Sequence, residues 1–95
     1  MICNVVMGKL KPGLEQPAVQ PALDAILALT PPGLIGCRAG TDLRLREGSW
    51  DWAISSSFVD EASYRAYDLD EEHNRIRREL FGAVSEQIVR VQFEA

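Results

Sequence analysis

The opening strand constrains this chain more than any other segment. From Ile2 to Leu10 the sequence is almost continuously apolar, interrupted only by Asn4, Gly8 and Lys9, and it is rich in valine and isoleucine. Such a run reads as a well-buried first strand. Two further segments carry the period of two that marks a half-buried strand. Trp50, Trp52 and Ile54 alternate with Asp51, Ala53 and Ser55, predicting a strand that ends at Phe58. Val89, Val91 and Phe93 alternate with Arg90, Gln92 and Glu94, predicting a last strand over Gln87 to Glu94 with one apolar and one polar face. Gly36 to Leu45 is a fourth candidate. It is short of branched residues and carries Arg38, Gly40 and Arg44, so an edge or bulged strand is expected there.

Helical spacing fills the gaps between these strands. Lys11-Pro12-Gly13 ends the first strand, after which Ala18, Ala22, Leu23, Ile26 and Leu27 recur at intervals of three and four on one helix face. Pro17 and Pro21 are tolerable only in a first turn. The helix therefore either begins at Pro17 with a distorted opening or becomes regular near Pro21. Thr30-Pro31-Pro32-Gly33 stops it. A second helical segment starts at the cap residue Asp60, carries Tyr64 and Tyr67, breaks near Asp70 and resumes through Ile76, Leu80 and Phe81 as far as Gly82.

The order strand, helix, strand, strand, helix, strand in 95 residues, with no internal repeat or flexible linker, predicts one domain spanning residues 1–95. Its class is α+β: a ferredoxin-like βαββαβ unit with an antiparallel four-stranded sheet and both helices on one face. The other sheet face then needs a cover. A second copy packed sheet to sheet supplies it, so a homodimer is expected.

A net charge of −4 and a pI near 4.9 argue against a nucleic-acid surface, which needs basic residues gathered on one face. The one basic cluster, Arg75-Ile76-Arg77-Arg78, is short and lies among acids. Helical spacing pairs Arg75 with Glu71 and Glu79, so the cluster reads as a solvated helix face. Cys3 and Cys37 form neither a CxxC nor a zinc-type spacing, and with His73 they offer at most three ligands of the usual kind, so no metal and no cofactor are expected. The first residues lack the basic leader and cleavage site of a secretory signal, and no stretch approaches the roughly 20 apolar residues of a membrane helix. A cytoplasmic location is the expectation.

Chemistry concentrates around Tyr67 and His73, the chain's one histidine. On an unbroken helix six residues turn through about 600°, which sets the two on different faces. Asp70 supplies the break: it is a good cap, and Glu71 and Glu72 load the first turn of the next helix with charge suited to its dipole. His73 then stands third in that helix, where the dipole favours neutral imidazole and Asp70, Glu71 and Glu72 favour imidazolium. Strand periodicity groups Asn4, Val6 and Gly8 on one face, and Trp50, Trp52 and Ile54 on another. If those faces meet the helices, a pocket lies beneath; the other reading is that Val6, Trp52, Ile54 and Ile76 are simply the hydrophobic core. On the pocket reading, Gly8 leaves room in the floor, Asn4 offers a donor and an acceptor, Trp52 a flat wall beside Val6 and Ile54, and Ile76 lies one turn beyond His73.

Several of these residues together resemble the stress-responsive α/β barrel (Dabb) proteins. They are Lys9-Leu10-Lys11-Pro12-Gly13 after the opening strand, the Pro32-Gly33-Leu34 turn, Trp50-Asp51-Trp52-Ala53 followed by Phe58, and Ala66-Tyr67 with His73. The resemblance spans nearly the whole chain. It implies a dimeric α/β barrel and two lines of function: cofactor-free enzymes, including a polyketide cyclase type with tyrosine and histidine at the spacing of Tyr67 and His73, and noncatalytic stress-response or ligand-binding dimers. On the first line, His73 and Tyr67 are catalytic in acid/base cyclisation, lyase or isomerase chemistry. Asn4, Val6, Trp52, Ile54 and Ile76 then line a site for an aromatic, β-keto or polyketide-like molecule. The chain departs from the family where Asn4 and Trp52 replace histidines and Asp70-Glu71 replaces a His-Pro step.

Overall fold

The computed structural model covers residues 1–95 and contains one four-stranded antiparallel sheet with helices against one face. The strands are β1 (Ile2–Leu10), β2 (Leu34–Thr41), β3 (Trp52–Phe58) and β4 (Ser85–Glu94), in the spatial order β2-β3-β1-β4. β1 and β3 occupy the centre, which accounts for the continuous apolar character of β1. The expected edge position of β2 is observed, and its register against β3 shifts between Leu34 and Gly36.

Three helices cover one face: α1 (Gln20–Leu27), α2 (Glu61–Leu69) and α3 (Glu71–Ile76). The two-proline ambiguity resolves as a single 3-10 turn over Gln16–Val19 that hands over to regular α-helix at Gln20. α3 continues into a π-helical turn over Arg77–Phe81, where the Gly82 N–H reaches the carbonyl of Arg77, and closes at Val84 rather than Gly82.

Four strand boundaries differ from the sequence expectation, two of them early starts: β2 begins at Leu34 instead of Gly36 and β4 at Ser85 instead of Gln87. β2 ends at Thr41 instead of Leu45, and β3 begins at Trp52 instead of Trp50. Arg44 has φ +58°, a left-handed conformation that a strand cannot carry through. Asp51 fixes the loop: one carboxylate oxygen accepts the Leu10 N–H at 2.7 Å and the other pairs with Arg44 at 2.7 Å.

Strand pairing sets Asn4, Val6, Gly8, Trp52, Ile54 and Ile88 on the helix side. The core there joins Leu10, Val19, Leu23, Ile26, Trp52, Ile54, Ile76 and Phe81. Gly8 does not open a cavity floor. A Cβ at this position would lie 2.2 Å from the Trp52 ring, so the missing side chain makes room for the indole. Trp52 in turn donates from Nε1 to Ser85 Oγ at 3.2 Å and packs on Phe81 with ring centroids 4.7 Å apart.

The opposite sheet face is uncovered in this chain, and its β1–β4 side is apolar. Val89, Val91 and Phe93 alternate outward on β4, with Val91 56% and Phe93 50% exposed, and Met7 stands opposite Val89 on β1. The polar alternates of β4 point to the helix side instead, where Gln92 Nε2 donates to Asn4 Oδ1 at 2.8 Å. No helix is long and apolar enough to cross a membrane.

Candidate active site

Asp70 makes the break between α2 and α3, and in doing so it brings two distant side chains together. Its extended backbone (ψ 132°) ends α2, with its N–H donating to the Tyr67 carbonyl at 3.1 Å. Its carboxylate then accepts the His73 N–H at 3.0 Å and starts α3. The kink undoes the rotation that one continuous helix would impose, and the Tyr67 and His73 rings stack with centroids 4.1 Å apart and planes tilted by 38°. Phe58 of β3 packs on Tyr67 as well, at 5.0 Å.

These two rings form part of the wall of a cavity of about 50 Å³ between helices and sheet. The sheet contributes Asn4, Val6, Trp52 and Ile54 to the same wall. Ile76, the remaining predicted member, is absent from it. One turn beyond His73 on α3, it is 1% exposed and belongs to the packed core.

Residues that the sequence reading left out complete the enclosure. Ile26, Phe81 and Ile88 add apolar surface, Tyr64 and Asp68 come from α2, and Arg77 and Arg90 bring two guanidinium groups. Arg77, expected on a solvated helix face, stands at the cavity, and Arg75 pairs with Glu72 at 2.6 Å and Glu79 at 3.3 Å rather than with Glu71. The period-two pattern of β4 already held the signal for Arg90. Once Val89, Val91 and Phe93 face away from the helices, Arg90 must face them.

Burial dominates the electrostatics of both rings. For His73 it lowers the pKa below the ordinary 6.5, with Arg77 and Arg90 pushing the same way against Asp68 and Asp70. The imidazole is therefore neutral at pH 7, and its Nδ1 is buried without a hydrogen-bond partner in the protein. For Tyr67 burial raises the pKa well above the usual 10, assisted by Cys37, Asp70 and Tyr64, so the phenol keeps its proton. No three His, Cys, Asp or Glu side chains converge as a metal site would need. Both cysteines are free and partly buried.

A neutral imidazole stacked on a protonated phenol beside an apolar cavity can take a proton from a bound molecule and donate a hydrogen bond to it. Comparison with known proteins bears on the scaffold. No family model matches the sequence, and no curated protein matches it. Solved structures of the same fold do. A dimeric ferredoxin-like protein of unknown function from Thermobifida fusca superposes with a TM-score of 0.85 at 22% identity, over 99% of this chain and 90% of that one. A Dabb family protein with a ferredoxin-like fold from Mesorhizobium loti gives 0.75 at 16% identity, over 99% and 95%. Hydroxynitrile lyase from Passiflora edulis gives 0.78 at 21% identity, over 97% and 90%. The fold is thus the ferredoxin-like fold of dimeric proteins that include a Dabb member.

Proposed function

We propose that this protein is a homodimeric acid/base enzyme whose Tyr67–His73 pair acts on a small carbonyl compound. His73 removes a proton from an acidic carbon or hydroxyl, and Tyr67 donates a hydrogen bond to the carbonyl oxygen on which charge develops. The observation that carries this reading is the stacked pair itself. One buried environment keeps the imidazole free to accept a proton and the phenol able to donate one.

Cyclisation, lyase and isomerase reactions all use that pair of roles. The hydroxynitrile lyase among the structural neighbours supports the reading by analogy of fold alone. Ligand size favours small molecules. A cavity of about 50 Å³ is far below the roughly 300–1,000 Å³ of pockets for drug-sized ligands, so a short β-keto or hydroxy compound fits better than a folded polyketide.

Dimerisation through the outer sheet face is supported by exposed Met7, Val89, Val91 and Phe93, and by neighbours described as dimeric. The test of the chemistry is exchange of acidic C–H protons in deuterated water over a panel of short β-keto compounds. Exchange accelerated by the protein and lost in His73→Ala is the expected result. A protein that accelerates none of the panel, or a variant that keeps full activity, removes the proposal.

A further inference from the structure

Two arginines line the cavity from elements far apart in sequence, Arg77 from the π-helical turn after α3 and Arg90 from edge strand β4, and the charges of both act on His73. Arg38, Arg46, Arg77, Arg78 and Arg90 form no ion pair with a carboxylate, and of these only Arg77 and Arg90 line the cavity. The single acid of the lining, Asp68, forms no ion pair with either, and the side chains of this trio carry a net charge of +1. Both arginines are exposed, while the Trp52, Ile54 and Phe81 surfaces of the same cavity are buried. The enclosure is therefore apolar inside and cationic at the rim.

The whole chain carries a charge of −4, which repels anions at long range. Two arginines on one cavity wall offset that charge locally. The planar donor fork of guanidinium matches a carboxylate.

We infer that Arg77 and Arg90 recognise the carboxylate of a short keto or hydroxy acid, holding it at the cavity mouth with the uncharged end of the molecule inside against Trp52, Ile54 and Phe81. The inference rests on the reading of the Tyr67–His73 cavity as the reaction site and names its substrate class. In this pose the carboxylate stays hydrated on its outer side. The carbonyl or hydroxyl end enters a space of about 50 Å³, which suits an acetyl-sized group.

Acetoacetate and its neutral counterpart acetoacetamide make the test, because they differ in charge at one end and little in shape. His73 is the chain's one histidine, so its ring resonances report binding at the cavity without ambiguity. Acetoacetate is expected to shift those resonances and to saturate at concentrations about ten-fold lower than the amide, the scale of one charge-assisted hydrogen-bond pair. The Arg77→Gln/Arg90→Gln double variant is expected to lose that gap, and each single variant to narrow it. Equal affinity for the two compounds in the unaltered protein, no shift of His73 by either, or a preference that survives in the double variant overturns the inference. Failure of the acid/base reading looks different. Carboxylate preference without proton exchange leaves the arginine site standing and removes the chemistry, and exchange with equal binding does the reverse.

Discussion

Tyr67 and His73, six residues apart, pack with ring centroids 4.1 Å apart and planes tilted by 38°, because Asp70 between them holds the backbone of both. The contact is a stack, so neither ring spends its polar atoms on the other. On the functional reading, His73→Ala lowers turnover by about 10²–10⁴-fold, the usual worth of a general base, and leaves the dimer folded. Tyr67→Phe keeps the ring packing on Phe58 and costs about 10²-fold in rate with little change in substrate binding, as loss of one oxyanion donor does. Steady-state kinetics beside a circular dichroism melt separate these outcomes from unfolding.

Acid should cost this protein both activity and stability through His73. Its folded pKa lies below the ordinary 6.5, so below pH 6.5 the unfolded chain binds a proton that the folded chain resists. The contribution from neutral His73 is complete above pH 6.5 and shrinks as the pH falls from there toward the folded value. The rate is expected to hold to lower pH than an ordinary histidine would allow before it declines. Urea midpoints across pH 5 to 8 check the stability arm, and His73→Gln should flatten that part of the profile.

Asp70→Ala removes the cap of α3 and frees the angle between α2 and α3. A lost cap costs about 1 kcal/mol of stability. Activity is expected to fall by more than that loss explains, since the stack of Tyr67 on His73 depends on the same residue. Asp70→Asn keeps a capping oxygen and should recover most of both, which parallel melting and rate measurements will show.

Gly8→Ala tests the close approach of strand β1 to Trp52. The added carbon would lie 2.2 Å from the indole, whose Nε1 is tied to Ser85, so Trp52 cannot yield without losing that bond. Overpacking of this kind costs about 1–3 kcal/mol. Urea unfolding followed by tryptophan fluorescence measures it.

Val91→Lys with Phe93→Lys sets two charges on the outer sheet face without touching the core. On the dimer proposed above, sedimentation is expected to convert from dimer to monomer, with the far-ultraviolet spectrum retained. A doubly substituted protein that remains dimeric excludes this face as the interface.

Much of the architecture was legible from periodicity. The apolar run of β1, the alternation in β3 and β4, and the caps Asp60 and Asp70 are local signals, and each is decided by residues within a few positions of one another. The extra strand length expected at Arg44 and Leu45 failed because Asp51 and the left-handed Arg44 close the loop, a pairing that no local pattern encodes. Grouping Asn4 with Val6, and Trp52 with Ile54, followed from the pleat alone, and those four stand on one cavity wall.

The sequence by itself determined which residues share a strand face, that Asp60 and Asp70 start helices, and that a break separates Tyr67 from His73. Only the tertiary structure decided which sheet face the helices cover. That choice turned Arg90 toward the cavity and Val91 away from it, sent Ile76 into the core, and filled the space beside Gly8 with Trp52. The physical reason is that periodicity fixes relative orientation within an element, whereas the inside is defined by what packs against it. The balance at His73 was settled the same way. Asp70 and the helix dipole are local, but the burial that lowers its pKa comes from the sheet, the aromatic neighbours and the helices that close over it.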